Sequence, residues 1–350
     1  MAKRALISGV NGQDGGHLAA LLHDKGYEVF GIMRGQMEAS HPKYKNFKQQ
    51  FPYVEIVLAD LTDLSSLVRA MQVAKPDEVY NLGAISHVGY SFRDPILALQ
   101  VTGGGVLNML EAIRLSGGEK TVRFYQASTS EMFGGLDYNR PGNGYNEDAI
   151  FHPRSPYGVA KLYGYWITRN YRESYGMHAS NGLLFNHEGE RRGPEFVTRK
   201  ISMSVARIKL GKQDHIELGN LDSKRDWGYA GDYVEGMWRM LQQEKPGDYV
   251  LATGEAHTIR EFCEYAFREI GMDIEWHGTG VDEVGVDRST SRTVIKINPD
   301  FFRPAEVDIL LGNATKAESE LGWKRKVDFP GLVKLMVEHD LGLEEARSVA

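Results

Sequence analysis

The sequence predicts a doubly wound parallel α/β sheet of Rossmann type, followed by a smaller C-terminal domain. Three observations predict it. Short apolar runs alternate with helical stretches through the first half of the chain, and strands joined by such crossovers form parallel sheets covered on both faces. A glycine-rich turn stands between the first strand and the first helix. After residue 185 the alternation weakens and charged loops lengthen. Taken in order, residues 5–8 read as a buried strand, 17–25 as an amphipathic helix stopped by Gly26, and 27–32 as a second strand. Strands follow at 54–58 and 78–82, with a helix at 63–73 between them. Residues 101–114 read as a helix and 122–127 as a strand. Residues 249–252 look like a late strand that returns to the first sheet.

Length and composition narrow the function classes. At 350 residues the chain holds about two domains. Its 41 Lys plus Arg against 47 Asp plus Glu give a net charge of -6, which argues against a general nucleic-acid binder. The single cysteine, Cys263, excludes an intramolecular disulfide and a cysteine cluster for metal. It lies between acids, which favours a buried structural thiol over a nucleophile. No apolar run of membrane-spanning length is read, and the first strand begins too early for a signal peptide, so a cytoplasmic protein is expected.

The turn Gly9-Val10-Asn11-Gly12-Gln13-Asp14-Gly15 has the spacing G-x-x-G-x-x-G. Glycines there permit a tight turn and let backbone N–H groups approach a pyrophosphate at the helix N-terminus. The end of the second strand decides which dinucleotide. An acid would bind the ribose 2′-hydroxyl of NAD, but Arg34 stands there instead, so NADP is preferred; the alternative is that Arg34 is a solvated loop residue. Asp60 follows the third strand as a contact for the adenine amino group, as a helix N-cap, or as both.

Ser155-Pro156-Tyr157-Gly158-Val159-Ala160-Lys161 is the most informative segment. Ser155 and Pro156 suit a helix start, which puts Tyr157 and Lys161 on one face, a turn apart. An ammonium nearby, with an oxidised nicotinamide, favours the phenolate and makes Tyr157 an acid/base for a sugar hydroxyl. Ser128-Thr129-Ser130-Glu131 follows a strand, at a carboxyl end. Ser128 or Thr129 can bond the hydroxyl being oxidised. Glu131 discriminates: a simple oxidation needs no carboxylate, whereas an elimination beside a new ketone does. Its alternative is a surface carboxylate.

On these motifs the chain resembles the extended short-chain dehydrogenase/reductase superfamily and, within it, the GDP-mannose 4,6-dehydratase family. The likeness runs over nearly the whole chain. It includes Tyr80-Asn81-Leu82-Gly83-Ala84, Gln126 to Glu131, Pro153 to Gly158, Asn186-His187-Glu188, Arg191-Arg192-Gly193, Phe196 to Lys200, Gly219 to Asp222, Lys224 to Gly228 and Arg303 to Asp308. The resemblance implies that Thr129, Glu131, Tyr157 and Lys161 are catalytic. It implies NADP contacts from Gly9, Asn11, Gly12, Gln13, Asp14, Gly15, Arg34, Asp60, Leu61, Leu82, Gly83, Ala84, Ser86, Val101, Tyr157, Lys161, His187 and Arg192. It places Ser86, Thr129, Glu131, Asn186, Val197, Lys200, Gly219, Arg225, Arg303 and Glu306 against a GDP-sugar. Arg225, Arg303 and Lys200 would supply the positive charge a diphosphate needs; the alternative is surface ion pairing. No metal is expected, because His187 has no second ligand at suitable spacing.

The expected division is a cofactor domain of residues 1–185 plus about 226–256, and a sugar-nucleotide domain of about 186–225 plus 257–350. The chain departs from the family after Arg34, where Gly35, Gln36 and Met37 replace the usual arginine and serines, and the loop at 38–52 looks shorter. That segment reaches a neighbouring subunit in the family, so either a homodimer or a homotetramer is expected. The competing readings are a dehydratase, reductase or epimerase of another sugar nucleotide, such as a GDP-heptose, and a non-catalytic NADP-binding sensor. A sensor would be expected to lack Tyr157, Lys161 or Glu131.

Overall fold

The computed structural model describes residues 2–34, 40–135, 142–301 and 309–349. Strands β1 (Arg4–Ser8), β2 (Glu28–Met33), β3 (Glu55–Leu58) and β4 (Glu78–Asn81) alternate with helices α1 (Gln13–Asp24), α2 (Pro42–Gln50) and α3 (Leu64–Ala74). Short helices α4 (Val88–Arg93) and α5 (Pro95–Ala98) lead through a π-helical stretch, Leu99–Gly104, into α6 (Gly105–Leu115). Next come β5 (Arg123–Thr129), α7 (Pro156–Tyr175), β6 (His178–Leu184) and β7 (Asn186–Glu188). After α8 (Val197–Lys209) stand β8 (Ile216–Leu218), β9 (Lys224–Arg225), β10 (Trp227–Tyr229), α9 (Ala230–Gln242) and β11 (Asp248–Leu251). The chain continues through β12 (His257–Thr258), α10 (Ile259–Glu269), β13 (Ile274–His277), β14 (Val284–Asp287), β15 (Arg292–Ile297) and β16 (Ile309–Leu310). It closes with α11 (Thr315–Leu321) and α12 (Phe329–Val349).

The main sheet has seven strands in the order β11-β6-β5-β4-β1-β2-β3, and every pairing in it is parallel. From β1 the chain winds outward to β2 and β3, then crosses back to β4 and winds the other way. The strand order therefore reverses between β1 and β4, the place where such sheets open a crevice at their carboxyl ends. The late strand, β11, pairs with β6 at the sheet edge.

Local sequence explains the helices. In α3, Leu64, Leu67, Val68 and Met71 recur at helical spacing, and Asp63 caps the start by accepting from Ser65 N and Ser66 N. Helix α10 opens on a capping box in which Thr258 and Glu261 each bond the other's backbone. Helix α7 starts at Pro156 behind the Ser155 cap and stops at Gly176, whose φ of 62° lies in the left-handed region.

Three of these elements differ from the sequence reading. Helix α1 begins at Gln13 rather than near His17, because the second half of the glycine-rich segment forms its first turn. Asp60 is not the α3 cap: its carboxylate instead takes the N–H and hydroxyl of Thr62, at 2.8 and 2.7 Å. The stretch Pro95–Leu115 is long and apolar enough, by length and composition, to cross a membrane. Here it packs on the sheet, with Val101, Val106, Met109, Leu110 and Ile113 buried against Leu67, Met71 and Phe124.

The opposite face of the sheet is covered by α1 and α9, through Leu18, Leu22, Met237 and Leu241. A separate core unites α8, α10 and α12 through Ile201, Val205, Phe262, Phe267, Leu332 and Met336. Each such side chain contributes about 1.5–3 kcal/mol when fully buried. Cys263 sits in this core, and burial, with Glu264 adding to it, pushes its thiol up and away from reactivity. Around that core lie a four-stranded sheet, β13-β14-β15-β8, and a three-stranded sheet, β12-β9-β16.

Asp226 locks these parts to the main sheet. Its buried carboxylate accepts from Thr253 N (2.8 Å), Thr253 Oγ1 (2.7 Å), Gly254 N (3.0 Å) and Gly312 N (3.1 Å). Asp226→Ala strands three backbone N–H groups in the interior, and each costs about 1–3 kcal/mol. The substitution should lower stability by roughly 3 kcal/mol or more, read as a fall in the urea unfolding midpoint at unchanged slope.

Candidate active site

The glycine turn is set by close backbone approach. Gly9 has φ +69°, and a Cβ there would lie 2.9 Å from the Gly83 Cα. At Gly15 a Cβ would lie 2.4 Å from the Gly9 carbonyl oxygen. Gly12 N–H donates to that same oxygen at 2.9 Å, closing the turn. Gly12 is also the N-cap of α1 and makes no side-chain cap bond, so the helix start is open to an anionic ligand. Leu61 packs beside Gly83 and Gly105, which joins the β3 loop to the same corner. Arg34 is exposed at the end of β2. A cradle without Cβ atoms, a free helix N-terminus and a base where an acid would otherwise stand together fit a dinucleotide bearing an extra phosphate.

At the neighbouring strand ends, β5 outruns β4. Asn81 pairs with Gln126, whereas Ala127, Ser128 and Thr129 pair only with β6. The gap is bridged by buried side chains. Gly83 N–H donates to Ser8 Oγ (3.0 Å), Ser8 to Asn81 Oδ1 (2.6 Å), Asn81 Nδ2 to Gln126 Oε1 (2.8 Å), and Gln126 Nε2 to the Ala127 carbonyl (2.8 Å). Lys161 Nζ donates to that same carbonyl at 2.6 Å. A polar chain thus runs from the glycine corner to the lysine. The sequence reading did not single out Ser8, Asn81 or Gln126 for this part; polar residues inside otherwise apolar strands are the signal that marks them.

Ser155 Oγ accepts from Gly158 N at 3.0 Å, and Ser91 Oγ accepts from Tyr157 N at 3.2 Å. Both donors are orphans of the α7 start, so the helix that carries Tyr157 and Lys161 is pinned to α4 on the cleft wall. The Lys161 ammonium lies 5.8 Å from the Tyr157 ring centroid. Burial raises the Tyr157 phenol well above its ordinary range, and the nearby Thr129 hydroxyl opposes this. Burial also lowers Lys161 to about 8, with the Asp14 carboxylate opposing. Without a bound cation beside it, Tyr157 is therefore held neutral.

These residues line a cleft of about 820 Å³. Asp14, Leu82, Ala84, Ser86, Thr129, Glu131, Tyr157, Lys161, Asn186, His187, Arg192, Val197, Lys200, Gly219 and Arg225 all face it. Gly9, Asn11, Gly12, Gln13, Gly15, Arg34, Asp60, Leu61, Gly83 and Val101 do not line it; Gly9, Gly83 and Leu61 meet at the adjoining corner. Arg303 and Glu306 lie outside the described residues, as do Gly35, Gln36 and Met37. Lys200 bonds the Glu217 carbonyl at 2.7 Å and lies 3.9 Å from the ring centre of Phe301. Arg192 stacks on Phe196 at 3.6 Å and pairs with Glu188 at 2.9 Å. Phe196, Phe301, His87 and Arg154 also line the cleft and were not assigned from the sequence. Phe196 and Arg154 stand inside recognised motifs, whereas Phe301 carries no motif signal of its own.

The family model for GDP-mannose 4,6 dehydratase matches residues 6–336. The chain belongs to the GDP-mannose 4,6-dehydratase family. It is 52% identical over 343 residues to the GDP-mannose 4,6-dehydratase of Sinorhizobium fredii, covering 97% of each chain. It is 50% identical over 358 residues to the GDP-mannose 4,6 dehydratase of Drosophila melanogaster, covering 99% of this chain and 88% of that one. Among solved structures it is similar to the UDP-glucose 4-epimerase of Thermus thermophilus in complex with NAD, with a TM-score of 0.77, 26% identity, and coverage of 97% of this chain and 99% of that one. Within the family frame, the cleft combines a dinucleotide corner with a Thr-Glu-Tyr-Lys set.

The Lys161 value gives a pH prediction with a definite sign. A lysine lowered to about 8 carries its charge below that pH and loses it above. Turnover should therefore fall as pH rises through about 8. Lys161→Arg keeps the charge at every accessible pH, so its residual rate should show no such limb in a steady-state pH profile.

Proposed function

We propose that this chain converts GDP-mannose to GDP-4-dehydro-6-deoxy-D-mannose and water, with NADP as a bound cofactor. The observation that carries the reading is Glu131. It shares the cleft with Thr129, Tyr157 and Lys161 in a chain of the dehydratase family. When bound, NADP supplies a hydride acceptor that serves as the donor later in the same turnover, so the reaction is redox-neutral.

The chain's own residues manage protons and orientation. Thr129 lines the cleft with Tyr157 and would hold the O4 hydroxyl against it. Tyr157, as phenolate, takes the O4 proton while C4 is oxidised. The new ketone makes the C5 proton acidic, and the Glu131 carboxylate removes it. Glu131, now a carboxylic acid, protonates the departing C6 hydroxyl, which leaves as water. Tyr157 gives its proton back at C5 as C6 is reduced. The O4 proton and the C4 hydride thereby end on C5 and C6, and one water is lost. Lys200 and Arg225 bring positive charge to the cleft, which suits the diphosphate of a GDP-sugar. The glycine turn, Arg34, Asp60, Leu61, Leu82 to Ser86, Val101, Lys161, His187 and Arg192 would hold NADP. Residues 1–185 with about 226–256 would form its domain, and the remainder the sugar-nucleotide domain.

We also propose a homodimer and a cytoplasmic location. On α7, Val159, Tyr163 and Trp166 recur at helical spacing and are 52%, 41% and 51% exposed. Ile96 and Leu99 beside them are 69% and 52% exposed. Two copies of this helix pair would bury that stripe in a four-helix interface.

Incubation with GDP-mannose should give a product lighter by one water, with no net NADPH accumulation. Unchanged sugar or stoichiometric NADPH release would sink the reading. Glu131→Gln should oxidise C4 and then stall, leaving the water unlost by mass spectrometry. Trp166→Glu should sediment as a monomer under conditions in which the parent chain is dimeric.

A further inference from the structure

The first turn of α1 contains an acid, Asp14. An acid is at odds with a helix start that faces phosphates, because like charges repel there. Its geometry resolves the conflict. The carboxylate reaches away from the turn and across to β7. Asp14 Oδ2 lies 2.9 Å from His187 Nε2, and Gln13 Nε2 donates both to Asp14 Oδ1 and to the His187 carbonyl, each at 3.0 Å. The other ring nitrogen, Nδ1, lies 2.7 Å from the Phe185 carbonyl oxygen. A carbonyl oxygen only accepts, and so does an ionised carboxylate. Both ring nitrogens must then be donors, which only the imidazolium can satisfy.

The surrounding charges agree. Burial opposes ionisation of both partners. The His187 charge and the bonds from His187 and Gln13 nevertheless hold Asp14 well below the ordinary carboxylate range. The Asp14 charge and bond, with the Phe185 carbonyl, raise His187 against burial and Arg192. Tyr233 of α9 stacks on the His187 ring at 4.7 Å, and His17 of α1 is kept neutral mainly by burial. Towards the catalytic helix, Asp14 is the carboxylate that favours the charged form of Lys161, and it also disfavours phenolates at Tyr125 and Tyr157.

We propose that Asp14 is a positioning residue: with the Phe185 carbonyl it fixes His187 as an imidazolium and seats β7 against the cofactor helix. This rests on the cleft being the dehydratase site. Asp14 thus acts through its side chain on protein groups and leaves the phosphates to the backbone of the turn.

The test uses the full-length chain labelled with ¹⁵N in its 11 histidines, with His187→Gln assigning the signal of interest. His187 should show two protonated ring nitrogens throughout the neutral pH range. A neutral tautomer there overturns the proposal, whatever the activity. In Asp14→Asn, which keeps the shape and one acceptor, His187 should titrate to the neutral form. A His187 that stays doubly protonated in Asp14→Asn overturns the role of Asp14. A chain without dehydratase activity would fail the preceding reading, while the histidine spectra would still decide the ion pair.

Discussion

The unequal length of β4 and β5 is the constraint on which the site depends. Were β4 to continue beside Ala127, Ser128 and Thr129, the polar ends of β5 would be consumed in the ladder. Because β4 stops at Asn81, the chain turns away at Leu82 and Gly83, and the space beyond becomes the cleft. The close approach of Gly83 to Gly9 then sets how far the two halves of the sheet can open. The buried chain from Ser8 through Asn81 and Gln126 to Ala127 satisfies the polar groups that the missing strand leaves behind. An apolar filling would close the gap as well, but it would leave Lys161 with a carbonyl whose aim nothing fixes.

Charge in the cleft is governed by burial more than by total count. The chain is acidic overall, yet the groups facing the cleft include Lys161, His187, Arg192, Lys200 and Arg225. A buried cation is costly unless a partner offsets it. Arg192 has Glu188, His187 has Asp14, and Lys200 has a backbone carbonyl and an aromatic face. Lys161 has a carbonyl hydrogen bond and the Tyr157 ring but no ion pair among the described residues, and burial lowers it to about 8.

The first half of the fold was legible because its signals are local. Strand–helix alternation, the glycine turn and the Ser155-Pro156 start each declare themselves within a few residues. Helix α1 was placed late because glycines read as turn even where they form a helical turn. Asp60 was weighed as a cap because it precedes α3, yet Asp63 stands nearer and has the geometry. The C-terminal sheets were not legible for a different reason. Strands such as β9, β12 and β16 are two residues each and come from distant segments, so their stability lies in partners such as Asp226 rather than in their own pattern. Thr129, Glu131, Tyr157 and Lys161 stand in local motifs, but the Asp14–His187 pair joins positions far apart in sequence. Nothing local in Gln13-Asp14-Gly15 says which way the acid points.

The chemistry and the architecture limit each other in one further respect. A dehydrogenase that exchanges its cofactor each turnover needs a site that opens for a dinucleotide. A redox-neutral dehydratase has no such need, since the hydride it removes is the hydride it returns. The glycine corner here is correspondingly tied down on several sides: by Gly83 through Ser8, by Leu61, and by β7 through Gln13, Asp14 and His187. The last tie crosses from the cofactor helix to the strand bearing Asn186, which faces the cleft. Loosening it to release a dinucleotide would disturb the cleft wall at Asn186 too. A site joined in this way suits a cofactor that stays in place while substrate and product come and go.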